Sequence, residues 1–351
     1  MSNEKRTILV HALGATQRAL VSVFPGQRVL FLIGLTGFLV RPVFFPIFFS
    51  YKRATIGHLI CYMSGKKGFA LVSLKYFVPA EDVRDLVSVY YLFDVDQPKF
   101  ADNERAAIAQ LRFLLEGTAD LSFANGETSY GAKDSMLVGP STGAMHFDVK
   151  GPFRMFGVGL LPTGWAALTK KSAADFTDKA VPANKIFTDE IDKSLELLRN
   201  CQSAEEMTAW ADRIFRDLRH RVKPEVEAFT RMVDEWLSSE PSPPVSALMA
   251  RSEQSSRQVL RMVNKLYGMP PKYLARKYRA LRAARAYAEH NEEELLELVD
   301  AFYDQSHMIR EVKFFAGTTP TKLRVAEGET ARLIDQRSDL KGKIAPLTSD
   351  T

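Results

Sequence analysis

Residues 255–279 read SSRQVLRMVNKLYGMPPKYLARKYR, and this stretch decides how the last third of the chain folds. Apolar residues recur at helical spacing and predict the buried face of a helix: Val259, Val263 and Leu266. Basic residues recur every four positions elsewhere on the same helix: Arg257, Arg261 and Lys265. The stretch therefore predicts an amphipathic helix with a basic stripe on its solvent side.

The ends of this helix carry ordinary start and stop signals. Ser255 can accept a hydrogen bond from a backbone N–H of the first turn, and Gly268 is a typical residue after a last turn. Residues 245–250 predict a short helix just before it, and residues 251–254 predict the turn between the two. A short helix, a tight turn and a capped helix with a basic face are what a major-groove reader needs. An ordinary amphipathic helix pair is the alternative interpretation.

A longer helix follows, from Pro271 to about His290. Its basic residues are Lys272, Arg276, Lys277, Arg279, Arg282 and Arg285. A helix of about 18 residues spans roughly 27 Å, close to the roughly 34 Å between successive major grooves. It could therefore hold two DNA-reading units about one turn of DNA apart.

A second unit of the same kind follows the long helix. Residues 293–299 predict its first helix, 301–303 the turn, and Asp304 the cap of a helix that ends before Gly317. Three residues share its exposed side: Gln305, Ser306 and Arg310.

The charge of the chain is concentrated in this region. The whole sequence has 47 Lys and Arg against 42 Asp and Glu, a net charge of +5. Between Val245 and Ala286 only Glu253 opposes the basic residues, which predicts a polyanionic partner. A solvated charged surface is the alternative.

Residues 63–187 have the pattern of a β domain. Short runs of β-branched and aromatic residues alternate with turn signals at Glu116-Gly117, Asn125-Gly126, Gly139-Pro140 and Gly151-Pro152. The runs are 87–93, 112–115, 120–123, 135–138, 145–149 and 155–161, and a helix is predicted over 165–176. This spacing favours a sandwich or barrel.

Three other segments complete the domain plan. Residues 1–62 form an extension, 188–223 a helical linker and 326–351 a polar tail, which leaves 224–325 as the helical domain. In the extension, Val29–Phe49 is apolar but is interrupted by Arg41 and two prolines, whereas a spanning helix needs about 20 apolar residues. Three interpretations stay open for it: a poorly ordered or mis-assigned extension before Met63, a packed appendage, and a membrane anchor.

The two cysteines, Cys61 and Cys201, form no CxxC motif, which predicts a reducing cytoplasm with no disulfide framework and no structural zinc.

Sites for enzymatic chemistry are sparse. Residues 139–143 match the G-x-S-x-G pattern, but the expected helix after the serine is missing, so a β-turn is the interpretation. His146 is alone in the β domain, whereas a cupin metal site needs several ligands, so we expect no metal. The aromatic run Tyr90–Phe93 lines either an effector pocket or the core. No cofactor is expected, and the protein is predicted not to be an enzyme.

The quoted stretch, followed by FYDQSHMIREVKFFAGTTPTKLR at 302–324, resembles the AraC/XylS-type transcription regulators. The shared features are the capped helix, the Gly268 to Tyr273 joint, the DQSH turn and the closing glycine and proline. More weakly, 138–140 and 156–181 resemble the sensor domain of one AraC-like subgroup. Glu297, Ala301 and Leu115 depart from the family pattern. At Ala301 the family usually has glycine, which predicts a strained positive φ in the turn.

The resemblance implies a multidomain α+β chain: a β-sandwich or cupin-like sensor domain and an all-α domain with two helix-turn-helix units. It implies sequence-specific binding of promoter or operator double-stranded DNA. The predicted base contacts are Arg257, Leu260, Arg261, Gln305, Ser306 and Arg310. The predicted phosphate contacts are Ser255, Lys265, Lys272, Arg276, Lys277 and Arg279. RNA polymerase, a small-molecule effector and a second copy of the chain are candidate partners. The competing interpretation is a cupin-like enzyme with a basic helical appendage.

Overall fold

The structure is a computed structural model that describes strands at 6–10, 18–23 and 29–34, then residues 71–123, 126, 128–132, 135–187, 190–325, 340, 342–344 and 347. The chain divides into two compact units, Met1–Tyr62 and Met63–Thr351.

The first unit contains a three-stranded antiparallel sheet in the order β1-β2-β3. Its strands are β1 (Arg6–Val10), β2 (Arg18–Val23) and β3 (Val29–Gly34). The apolar stretch that begins at Val29 therefore starts as a strand, and its remainder, like Cys61, lies outside the described residues. Within the described part of the chain, no helix is both long and apolar enough to cross a membrane.

The second unit opens with an eight-stranded antiparallel sheet, ordered β11-β9-β7-β10-β5-β4, with β6 paired to β10 and β8 to β7. The strands are β4 (Leu71–Phe77), β5 (Val87–Asp96), β6 (Lys99–Glu104), β7 (Ala109–Ser122), β8 (Thr128–Ala132), β9 (Ser135–Val138), β10 (Met145–Leu160) and β11 (Ala180–Pro182). The antiparallel β domain predicted from the sequence is confirmed.

Alternation along β5 separates two apolar cores. Tyr90 and Leu92 lie in one apolar core, which also contains residues of the helical segment 188–223. Tyr91 and Phe93 point to the other face of the strand and lie in a second apolar core, formed mainly by strand residues. The aromatic run therefore contributes to apolar cores on both faces of β5, as the core interpretation predicted, and the effector pocket stays a prediction.

Two predicted turns are wrong, because the chain passes through them without leaving the sheet. Gly117 lies within β7 at φ +79, where a Cβ would come 2.5 Å from the carbonyl oxygen of Lys150, so the position needs glycine. Likewise β10 continues through 151–152 as one strand. The hairpin at Gly126 is confirmed, since β7 and β8 pair with Ser122 opposite Thr128.

The helices are α1 (Pro162–Thr169), α2 (Glu190–Asn200), α3 (Ala204–Leu218), α4 (Pro224–Ser238), α5 (Val245–Ala250), α6 (Ser256–Tyr267), α7 (Pro271–Ala288), α8 (Glu292–Val299), α9 (Gln305–Ala316) and α10 (Pro320–Arg324). The helix predicted over 165–176 is split into two parts. The first part, α1, ends at Thr169 because the next residue, Lys170, lies in the left-handed region, and a 3-10 turn follows at Ala173–Phe176.

The helical domain has two apolar clusters, and α7 contributes to both. One surrounds Trp236 with residues of α4 and α6, and the other contains Leu298 and Val312 of α8 and α9. This arrangement makes α7 the shared support of both helix-turn-helix units.

Candidate nucleic-acid interface

The first helix-turn-helix unit is α5 followed by α6. Ser255 caps α6: its hydroxyl accepts from the backbone N–H of Gln258 at 3.4 Å, and its own N–H donates to Gln258 Oε1 at 3.0 Å. This reciprocal pair satisfies two backbone donors that a helix start otherwise leaves unpaired. Gly268 ends α6 at φ +81, as a left-handed cap.

The exposed and buried faces of α6 are those that the sequence predicted. Val259, Val263 and Leu266 are buried. The residues on the solvent side are all exposed: Arg257, Leu260, Arg261 and Lys265. The structure thus collects three cations and one apolar side chain on a single helix face, of a width that fits a major groove.

The second unit is α8 followed by α9. Asp304 caps α9, with its Oδ1 accepting from the backbone N–H of His307 at 2.6 Å. Gln305, Ser306 and Arg310 are exposed on α9. Like α6, α9 is capped at its start and ended by a left-handed glycine, Gly317.

The departures from the family pattern in this unit have little structural effect. Ala301 does not adopt a positive φ; near this unit the positive φ values occur at His290, before α8, and at Gly317, after α9. The strain expected in the turn is therefore absent, since the turn is built without a left-handed residue at that position. Glu297 is exposed to solvent.

The basic residues of α7 behave differently from the expectation. Arg276 donates from Nε and Nη2 to the carboxylate of Glu311 on α9, at 2.8–3.0 Å. Arg279 donates from Nη1 to the hydroxyl of Ser242 at 3.1 Å and to the carbonyl of Ala301 at 2.9 Å. Both guanidiniums bond groups within the domain in this arrangement, and their assignment to DNA phosphate stays a prediction.

Lys277 is the clearest correction among the predicted phosphate contacts. Its side chain is buried, and Nζ donates to the carbonyls of Ala107 and Ser141 in the β domain, at 2.7 and 3.1 Å. Burial lowers the pKa of Lys277 to about 7, and Asp178 opposes this. A buried amine that bonds two carbonyls cannot reach a phosphate.

Arg282 and Arg285 of α7 also bond groups within the domain. Arg282 donates to the carbonyl of Leu237 at 2.6 Å, and Arg285 pairs with Glu289 at 2.8 Å and with Glu294. The basic residues of the 245–286 segment that stay exposed are Arg251, Arg257, Arg261, Lys265 and Lys272. The basic run in the sequence therefore combines exposed cations with cations that bond groups inside the protein.

The β domain contains a cavity of about 80 Å³ lined by residues of its strands and of the segment before β7. Its apolar wall includes Tyr91 and Phe93. At its polar end Arg112 pairs with Glu104 at 2.6 Å, and Gln110 accepts from Tyr91. Burial raises the pKa of Tyr91, so its hydroxyl stays protonated and donates.

The residues of the enzymatic alternatives have other contacts in the structure. The Ser141 hydroxyl is buried and accepts from the backbone N–H of Ala107 at 2.8 Å, so it faces no substrate. His146 is an exposed strand residue beside Asn103 and Asp148. Among the described residues, no three His, Cys, Asp or Glu side chains are grouped as metal ligands.

Comparison with known proteins gives the following likenesses. A family model described as a domain of unknown function, DUF6597, matches residues 75–182. No curated protein sequence matches the chain. Among solved structures, ToxT from Vibrio cholerae O395 is 9% identical, with 66% of this chain and 99% of that chain covered and a TM-score of 0.35. Unsaturated fatty acid bound wild-type ToxT from Vibrio cholerae strain SCE256 is 10% identical, with 74% and 96% covered and a TM-score of 0.37.

Proposed function

We propose that the chain is a sequence-specific double-stranded DNA-binding transcription regulator. The observation that carries this proposal is the pair of capped helices, α6 and α9, that each follow a short helix and expose side chains able to bond base edges. Arginine pairs with guanine, glutamine pairs with adenine, and a leucine can contact a thymine methyl group. Both helices are supported by α7, whose length is suited to the distance between successive grooves.

The proposed DNA contacts are of two kinds, contacts to bases and contacts to phosphate. Arg257, Leu260 and Arg261 on α6 are proposed to contact bases, as are Gln305, Ser306 and Arg310 on α9. Lys265 and Lys272 are exposed and are proposed to contact phosphate, with Ser255 at the α6 start, where the helix dipole favours an anion. Phosphate contacts set register, and base contacts select sequence.

The β domain is proposed as the sensor of this regulator. Its cavity is lined mainly by apolar side chains and closed at one end by a polar network, which is the composition of a small-molecule site. The proposed effector would therefore be a small, largely apolar molecule. That RNA polymerase and a second copy of the chain are partners stays a prediction.

Selection of DNA from a random double-stranded library tests the function. We expect the full chain to enrich one extended motif, and Arg261→Ala to relax one or two of its positions. Arg213→Ala, which removes an exposed arginine on α3, is the matched control and should leave the motif unchanged. Recovery of unrelated sequences, with affinity set only by salt, would show that binding is non-specific and would contradict the proposal.

A further inference from the structure

The loop Gly139–Ala144, which we call the clasp loop, joins β9 to β10 and includes the residues of the G-x-S-x-G pattern. It bonds residues of both the β domain and the helical domain. It touches the end of α6, the first half of α7 and the end of α9.

At α6, the clasp loop meets Gly268. A Cβ on Gly268 would come 2.4 Å from Pro140 and 2.6 Å from the hydroxyl of Thr177. That hydroxyl donates to the carbonyl of Gly268 at 2.7 Å. The C-terminal end of the first reading helix is therefore held directly against the β domain.

At α7, the loop offers backbone carbonyls as acceptors. Lys277 Nζ bonds the Ser141 carbonyl, and the Tyr273 hydroxyl donates to the Thr142 carbonyl at 2.9 Å. These contacts position the helix that supports both units.

At α9, the N–H of Ala144 donates to the Phe314 carbonyl at 2.9 Å. The neighbouring segment adds a bond from the N–H of Ala106 to the Phe315 carbonyl at 2.7 Å. Gly317, which ends α9 at φ +74, approaches Ala144 so closely that a Cβ would lie 3.0 Å away. The second reading helix is thus held at the same end as the first.

The clasp loop is itself fixed within the β domain. Asp178 accepts from the Thr142 N–H at 2.7 Å and from the Thr142 hydroxyl at 2.5 Å, and its own N–H donates to the Pro140 carbonyl at 3.1 Å. The loop can therefore hold the C-terminal ends of α6 and α9 in a fixed position relative to each other.

We propose that the clasp loop determines the spacing between DNA half-sites that the protein accepts, by fixing the orientation of α6 relative to α9. This inference rests on the proposed function. Were α7 the only connection, each helix could tilt on its end of α7. With both C-terminal ends also held by the loop, fewer relative orientations remain. One added base pair displaces the second half-site by about 3.4 Å along the duplex and rotates it, so a fixed pair should reject it.

The test uses the full chain and a series of operators in which the two half-sites are moved apart or together by single base pairs. Two variants weaken the contacts of the clasp loop, one on the side of the helical domain and one on the side of the β domain. Tyr273→Phe with Lys277→Met removes the α7 bonds, and Thr142→Val removes the Thr142 hydroxyl bond to Asp178 without touching the helical domain. Lys193→Met, at an exposed position on α2, is the control. A thermal melt verifies that each variant is folded.

We expect the wild-type chain to prefer one spacing, and both variants to lower that preference by about fivefold or more, the low end of coupling between sites. Their base preference within each half-site should be unchanged. An unchanged spacing profile in the folded Thr142→Val protein, or an equal loss at every spacing in both variants, would overturn the proposal. Failure of the wild-type chain to select any sequence would instead refute the proposed function.

Discussion

Arg276 on α7 and Glu311 on α9 form a bidentate ion pair, with nitrogen to oxygen distances of 2.8–3.0 Å. The Glu311 side chain is 6% exposed, whereas that of Arg276 is 40% exposed. The carboxylate therefore depends on this guanidinium, with Arg279 at 3.6 Å as a second cation. The pair connects α9 to α7.

Arg276→Ala should destabilise the protein, because it leaves Glu311 buried with weaker compensation. Breaking a fully buried pair costs about 3–5 kcal/mol, and the partial exposure of Arg276 reduces our expectation to about 1–3 kcal/mol. Urea unfolding measures the change. Lys272→Ala is the contrasting variant: its stability should stay within about 0.5 kcal/mol of wild type, while the salt dependence of DNA binding flattens by about one unit. If Arg276→Ala instead flattened the salt slope at unchanged stability, Arg276 would be a phosphate contact after all.

Asp234 on α4 predicts a pH dependence of stability. Burial raises the pKa of Asp234 to about 6, against a hydrogen bond from the Tyr267 hydroxyl at 2.8 Å. From pH 3.8, the ordinary value for Asp, up to about pH 6, the folded protein binds more protons at this site than the unfolded protein. The free energy of unfolding contributed by this group therefore falls as pH rises through that window, by up to roughly 3 kcal/mol.

Asp234→Asn keeps an acceptor for Tyr267 and removes the titration. We expect the urea midpoint of the wild-type chain to decrease from pH 5 to pH 7 by more than that of Asp234→Asn. Parallel pH profiles for the two proteins would show that Asp234 titrates at its ordinary value.

The local pattern predicted most of this architecture, because each reading helix carries its own cap, stop and apolar stripe. It could not predict which cations of α7 face inward. Arg276, Lys277 and Lys272 look alike in sequence, yet the first two are held by Glu311 on α9 and by two carbonyls of the β domain. Those partners are distant in sequence. The same holds for Gly117, where a close approach between strands, rather than a turn, requires the glycine.

Ala301→Gly tests whether the second turn is strained. Since Ala301 has no positive φ, glycine relieves nothing, and it adds conformational freedom to the unfolded chain. We expect unchanged DNA affinity and a stability loss of about 0.5–1 kcal/mol. Tighter DNA binding by Ala301→Gly would reveal strain in the turn, and a titration of the operator at fixed salt measures it.

The two reading units should contribute unequally to DNA binding, with α6 dominant. Its exposed face carries three cations, whereas the three proposed reading residues of α9 include Arg310 as the single cation. The acidic residues around α9 repel DNA phosphate less than their number suggests, because several of them pair with arginines. Glu292 pairs with Arg324 at 2.6 Å, Glu294 pairs with Arg285, and Glu311 pairs with Arg276. The acids of α8 and its end that remain exposed without such a pair are Glu293, Glu297 and Asp300.

Matched arginine variants measure this inequality. An arginine that pairs with guanine contributes about 1–3 kcal/mol of discrimination. Arg261→Ala should lose that amount at the first half-site and relax one or two base pairs there. Arg310→Ala should lose less at the second half-site, because fewer cations surround Arg310 and the remaining α8 carboxylates repel phosphate. Binding to operators substituted base by base gives both numbers. Comparable losses at the two half-sites would mean that α9 reads DNA as strongly as α6.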